Sequence, residues 1–441
     1  MRWLDLVFAG VFLASTFCGS PPAQAADWYY WIGAGTGGNM ATDPTDLTTQ
    51  WNYPANWQGG IVPTPNSIAY LPLTNAGYVN AQSAALAGLF VDGTSAEGAC
   101  HIADGVAITT QPGYGVFVGY EGQGRIVQTG GSLTTYGAYG GYGLLYVGGP
   151  ETAGTGRYEL HAGNVACDEA KVGYQGTGIL EQAGGTLIVT GTMYVGVGSL
   201  AWPGHGTLNV GAGTLRVGSL YLGDAYSSAA LNITDSAARI EAAFITLGPG
   251  STLSVVLGAE IHMTKATPWF IIGSREESAL ADLDRLVLVF DGADAGSFGR
   301  IEAASRDLGA SLAGFADNFA LGTVILGASN PGGIRLMDSV DNGNRNGPEA
   351  VYLHDLTIGP GSTLDLQGLH LYYDGTIRNF GSIYGGTPIF VPEPNALLLL
   401  GAGLVALRMG RMLKRGSGPV GETDRRHQTE HLPKEYERRG D

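Results

Sequence analysis

Basic residues are scarce in this chain. Its 441 residues include 23 Lys and Arg against 39 Asp and Glu, a formal charge of −16. Between Ala26 and Pro394 the imbalance sharpens to 13 against 32, a net −19. Such a surface cannot neutralise phosphates, so no nucleic acid is expected as a partner. Charged residues of both signs make up only 14 % of the chain, and apolar residues seldom recur at helical spacing, which argues against long amphipathic helices. Cysteine is limited to three positions. Cys18 lies in the leading apolar run, and Cys100 and Cys167 are too few for a disulfide framework, leaving either one bridge or two buried thiols. Catalytic signatures are missing as well. There is no nucleophile elbow, phosphate loop or paired CxxC, and the six histidines before residue 394 show no metal-ligand spacing.

What the chain has in quantity is glycine, 72 residues of it, and the glycines are periodic. Valine or leucine followed by glycine recurs at Val118-Gly119, Val147-Gly148, Val172-Gly173, Val195-Gly196, Leu222-Gly223 and Leu247-Gly248, with the glycines 29, 25, 23, 27 and 25 residues apart. A period in the twenties is the mark of a solenoid, in which each turn buries its face only against its neighbours. Residues one and three before each glycine are apolar, such as Val118 with Val116 and Leu222 with Leu220. They are predicted to point inward from a strand. Further strands are expected at Arg125–Gln128, Arg157–Leu160, Ile179–Gln182, Thr207–Val210 and Ala230–Ile233, with a third strand after glycine corners such as Gly184-Gly185. Three strands per turn predict an all-β fold, a right-handed parallel β-helix (β-solenoid).

The corner at Ile245–Leu253 is echoed by Leu356–Leu364, so the repeat is expected to resume and run to about Tyr384. The reading divides the chain into a leader over 1–25, an aromatic N-terminal cap over 26–80 and repeats over 81–266. Enlarged coils or a packed sheet over 267–335, with a short helix near Ser274 to Leu283, precede C-terminal coils over 336–388. A processing segment over 389–415 and a polar tail over 416–441 complete it. The cap carries Trp28, Trp31, Trp51 and Trp57, and capping is needed because a first coil otherwise exposes its edges.

Both ends carry export signals. Arg2, the apolar run Leu6 to Phe17 and Ala23-Gln24-Ala25 form a secretory signal peptide pattern with cleavage before Ala26. Near the other end, Val391, Pro392, Glu393 and Pro394 cannot join a regular helix and precede the apolar run Ala396 to Leu407. Those 12 residues fall short of the roughly 20 that span a bilayer, which predicts a temporary transmembrane anchor. Arg408, Arg411, Lys414 and Arg415 follow as a stop on the cytoplasmic side.

This arrangement resembles the PEP-CTERM sorting signal of Gram-negative envelope proteins. The resemblance implies an exosortase-type membrane processing enzyme as a partner, cleavage near Pro-Glu-Pro, and transient residence at the inner membrane. It also implies display in the envelope or in an exopolysaccharide or biofilm matrix. The polar tail after Gly416 departs from the family, whose members usually stop soon after the basic cluster. The glycine-rich body is similar to autotransporter passenger-type β-helices.

Candidate site residues follow from the repeat. The second position before each glycine points outward, stacking Phe117, Tyr146, Tyr194 and Tyr221, with Lys171 among them, into an aromatic ladder. It is read either as strand support or as a glycan-binding face, which leaves a glycan-binding adhesin as one alternative to a structural role. A polysaccharide lyase or glycoside hydrolase is the other, and it needs cooperating carboxylates. Asp168 and Glu169 are adjacent and face opposite ways, Glu169 and Lys171 share a face as an ion pair, and Asp282 and Asp284 have no accompanying Arg or His cluster. Asn342, Asn344, Asn346 and Gly347 imitate the start of a calcium loop, but lack its leading Asp and carry Leu353 at the twelfth position. No catalysis, cofactor or metal is therefore expected.

Overall fold

The computed structural model describes residues 27–32, 51–73, 78–93, 98–137, 143–149, 154–264, 267–292, 298–342 and 347–392. The leader, Glu393 and Pro394, the apolar run, Arg408, Arg411, Lys414, Arg415 and the polar tail all lie outside them. Among the described residues no helix is long and apolar enough to cross a membrane.

The fold is all-β and almost wholly parallel. Most strands pair in parallel with one strand earlier in the chain and one later. One such ladder runs through the strands Ala107–Val118, Leu144–Val147, Glu169–Val172, Thr186–Val195, Thr214–Leu222 and Arg239–Leu247. A second joins Gln123–Thr135, Thr155–Cys167, Thr177–Gln182, His205–Val210, Ser228–Ile233 and Ser251–Val255. Within strand segments the register is held, because a one-residue shift would carry the apolar side chains into solvent, and shifts are confined to irregularities such as that between Val189 and Thr192. Consequently Ile108, Leu133, Val165, Leu187, Leu215, Ile240, Ile261, Leu288, Val324 and Leu356 form a continuous buried column.

The Val-Gly signature has a steric cause. Gly173 has φ +65°, and a Cβ there would lie 2.0 Å from the carbonyl oxygen of His205, one turn on. At these corners the next turn's backbone occupies the place of a side chain. Buried amides tie other corners together: Gln182 Nε2 donates to the carbonyls of Gly185 (3.3 Å) and Thr214 (2.9 Å).

Strands Trp269–Ile272, Val287–Phe290, Gly299–Glu302, Leu321–Leu326 and Gly333–Met337 continue the same parallel ladders through the irregular region. The helix there is 3-10, Glu277–Arg285, broken at Leu280, and it buries Leu280 and Leu283. Among the described strands Ser305–Arg306 pairs antiparallel with Glu349–Ile358, and Trp31 and Trp57 form an isolated antiparallel bridge.

At the N-terminal end Trp31, Trp51 and Trp57 are 6 %, 2 % and 1 % exposed and join the main core, with Trp57 Nε1 donating to the Trp51 carbonyl at 2.7 Å. Trp28 stays outside this group and is 44 % exposed. The ladders begin inside the segment expected to be cap, since Asp27–Tyr30 pairs with Ser67–Leu73 and that strand with Ala84–Gly93. Cys100 and Cys167 are buried free thiols.

Gly173→Ala is expected to lower stability by about 2 kcal/mol more than Gly258→Ala. Both glycines have positive φ, but a Cβ at Gly258 meets nothing within 4 Å. Urea midpoints of the two variants measure the difference, and equal midpoints would mean that the corner carbonyl is not the constraint.

Candidate functional site

The outward ladder forms in full register and is longer than its sequence signature. Tyr30, Tyr70, Phe90, Phe117, Tyr146, Lys171, Tyr194, Tyr221 and Thr246 succeed one another on adjacent strands. Tyr30, Tyr70 and Phe90 escape the Val-Gly pattern because their strands lack the glycine. Phe90 stacks on Phe117 at 4.5 Å and 14°, and Phe117 on Tyr146 at 4.9 Å and 9°. Tyr194 stacks on Tyr221 at 5.6 Å and 19°.

This geometry corrects the expectation of an exposed aromatic surface. Rings stacked face to face along the ladder turn only their edges to solvent, whereas a pyranose needs a ring face. Phe117 is buried, Tyr120 closing over it and Phe90 at 5.5 Å from each, and Tyr146, Tyr194 and Tyr221 are half-buried. Stacking contributes about 0.5–1.5 kcal/mol per pair beyond burial, so the arrangement supports the strands beneath it.

Lys171 interrupts the stack. Its Nζ lies 4.9 Å from the Tyr146 ring centre and 4.6 Å from that of Tyr174, donates to Tyr146 Oη at 2.9 Å and pairs with Glu169 at 2.8 Å. Burial opposes its charge, but Tyr146 and Glu169 outweigh burial and hold its pKa above the ordinary value. The ammonium's hydrogen bonds are directed inward, and the carboxylate beside it is engaged.

The exit strand Ile389–Phe390 pairs in parallel with His370–Tyr373. Val391 follows, 1 % exposed, its N–H donating to the Tyr373 carbonyl at 2.8 Å and its side chain packed with Ala320, Ala350, Tyr352 and Tyr372. Val391 is thus a core residue, the last among the described ones, rather than part of an accessible peptide, and the exposed Pro392 follows it. Beside this seat, Asp307 accepts hydrogen bonds from Tyr372 Oη (2.9 Å) and the His370 ring (2.5 Å). Burial would raise the Asp307 pKa, yet these bonds and the Gly309 N–H hold it below the usual range.

Two other carboxylates singled out by the sequence are engaged in structure. Asp168 accepts the N–H groups of Gly137 and Gly143 and the hydroxyl of Thr190, and Asp282 accepts the N–H of Val255. Three others converge where sequence spacing gave no pairing: Glu302, Asp338 and Glu349 bring carboxylate oxygens within 4.8 Å of one another. Burial, then the neighbouring Asp338, pushes Glu349 up to about 8, and burial raises Glu302.

On the second ladder Glu159 lies 2.7 Å from both Arg125 and Arg157. Burial would raise its pKa, but the two guanidinium groups outweigh burial and depress it. A depressed carboxyl stabilises the fold above its unfolded pKa near 4.3, and that contribution disappears as pH falls through the lower folded value. Glu159→Gln is therefore expected to lose stability at pH 7 and to approach the parent as pH falls through the lower folded value. Denaturant titrations at pH 7 and below that value test this, and an equal deficit at both would assign Glu159 a packing role. Tyr146→Ala is expected to cost about 2 kcal/mol in the same assay without altering retention on immobilised polysaccharide. Lost retention at unchanged stability would restore the glycan reading.

No protein-family model matches this chain, and neither a curated protein nor a solved structure matches it.

Proposed function

We propose that the chain is an exported structural protein of the cell envelope or extracellular matrix of a Gram-negative bacterium, built as a right-handed parallel β-helix. An exosortase-type membrane enzyme processes it near Pro392-Glu393-Pro394. The apolar run Ala396 to Leu407 holds the chain transiently in the inner membrane, and Arg408, Arg411, Lys414 and Arg415 stop its passage. Exopolysaccharide is the matrix partner that the resemblance implies.

One observation carries this reading. The compact unit ends at Val391, and Pro392 opens the next. A cut after Pro392 removes no strand and no buried side chain of the described residues, so the product keeps every described ladder intact. Further support comes from the outward faces, where the charged and aromatic side chains already satisfy one another, as suits a scaffold better than a reaction centre.

Intact mass of the protein recovered from the cell surface is expected to match a chain from Ala26 to about Pro394. Replacing Pro392 and Pro394 together by alanine is expected to leave the apolar run attached and shift the protein to the inner-membrane fraction. Surface protein that still carries Asp441 would sink the proposal.

A further inference from the structure

We infer that Glu302, Asp338, Asn342 and Glu349 form a binding site for one calcium ion. The four residues come from three successive segments. Glu302 closes the strand Gly299–Glu302, where it is the register partner of Met337, the residue before Asp338. Glu349 opens the strand Glu349–Ile358. The three carboxylates meet within 4.8 Å of one another. Glu302 and Glu349 are buried and Asp338 is exposed, so the group has a dry floor and one open side through which an ion can enter.

Asn342 supplies an observation independent of the acidic cluster. It is 0 % exposed, and its Nδ2 is anchored on the carbonyls of Ile272 (2.8 Å) and Ser274 (2.9 Å). Its backbone N–H donates to Glu349 Oε1 at 3.3 Å, which fixes the residue beside the carboxylates. The side-chain Oδ1 is left buried with no hydrogen-bond partner. A buried amide oxygen normally finds a donor, and an unmet one next to carboxylates is a neutral ligand for a hard cation.

The sequence supports the same ligands once counted from the right residue. Asp338 to Glu349 is a twelve-residue span with Asp first, Asn342 fifth and Glu twelfth, the acidic ends and fifth ligand of a calcium loop. Counting from Asn342 places Leu353 at the end and hides the pattern. At the third position Val340 replaces the usual Asp or Asn, and the carboxylate of Glu302 comes instead from the neighbouring turn. All donors are oxygen, which disfavours zinc and copper, and the irregular mixture of buried and open ligands suits calcium better than octahedral magnesium. By fastening this connection to the ladders before and after it, the ion would stiffen the irregular region.

The test is calorimetric titration of the chelator-treated, full folded chain with calcium, alongside thermal melts. One calcium per chain is expected, with a dissociation constant of about 0.1–1 mM as in extracellular calcium modules, and with a raised melting temperature. Asp338→Asn, at an exposed position, and Glu349→Gln should each weaken binding about tenfold or more and abolish the rise, while Asp104→Asn should change neither. No saturable heat and no melting shift up to about 10 mM calcium would overturn the inference. So would undiminished binding in folded Asp338→Asn, which would place the ion elsewhere, or equal affinity for magnesium.

Discussion

Parallel pairing at a fixed register, one turn of chain apart, is the constraint on which the rest of this structure depends. Because strand partners are identical positions of successive turns, each side chain meets its counterpart above and below at about 4.8 Å. Apolar positions become columns, illustrated by the unbroken line from Ile108 to Leu356. Outward aromatics become stacks, and Gln128 and Gln182 place their amides against successive corners. The corners tolerate only glycine where a carbonyl of the adjacent turn fills the space of a Cβ.

A ladder of this type cannot end without exposing edges and core, so the ends are built differently from the middle. Three buried tryptophans close the N-terminal end. At the other end Tyr352 and Tyr372 stack at 4.7 Å, Asp307 ties Tyr372 and His370 together, and Val391 is packed into the same group. This seat separates the folded turns from Pro392 and gives the proposed processing site a physical boundary. Val391 is the last buried residue among the described ones, and the strands before it are held in the parallel ladders.

The middle of the fold was legible because repetition amplifies a weak signal. A single Val-Gly pair means little, but six at intervals of 23 to 29 residues specify inward faces that the structure buries without exception. The aromatic ladder was legible in its members from Phe117 to Tyr221, since they share a fixed distance from the glycine. Its exposure was not, because whether stacked rings show faces or edges depends on side-chain torsions and on Tyr120, which no spacing encodes. Tyr30, Tyr70 and Phe90 were missed for a related reason, as their strands join the ladder without carrying the glycine signature.

The sequence by itself determined the periodic body, its parallel strands and its inward residues, because these follow from local alternation and a repeated steric requirement. The residues on which the export and sorting proposal rests are contiguous and can be read directly from the sequence. Only the tertiary structure decided where Val391 ends the core, how Lys171 is enclosed by Tyr146 and Tyr174, and that Glu302, Asp338, Asn342 and Glu349 come together. Those groupings join residues up to 71 positions apart, Ala320 with Val391, through turns of unequal length. Contacts of that kind arise from how irregular turns are pressed against regular ones, and a linear pattern does not contain them.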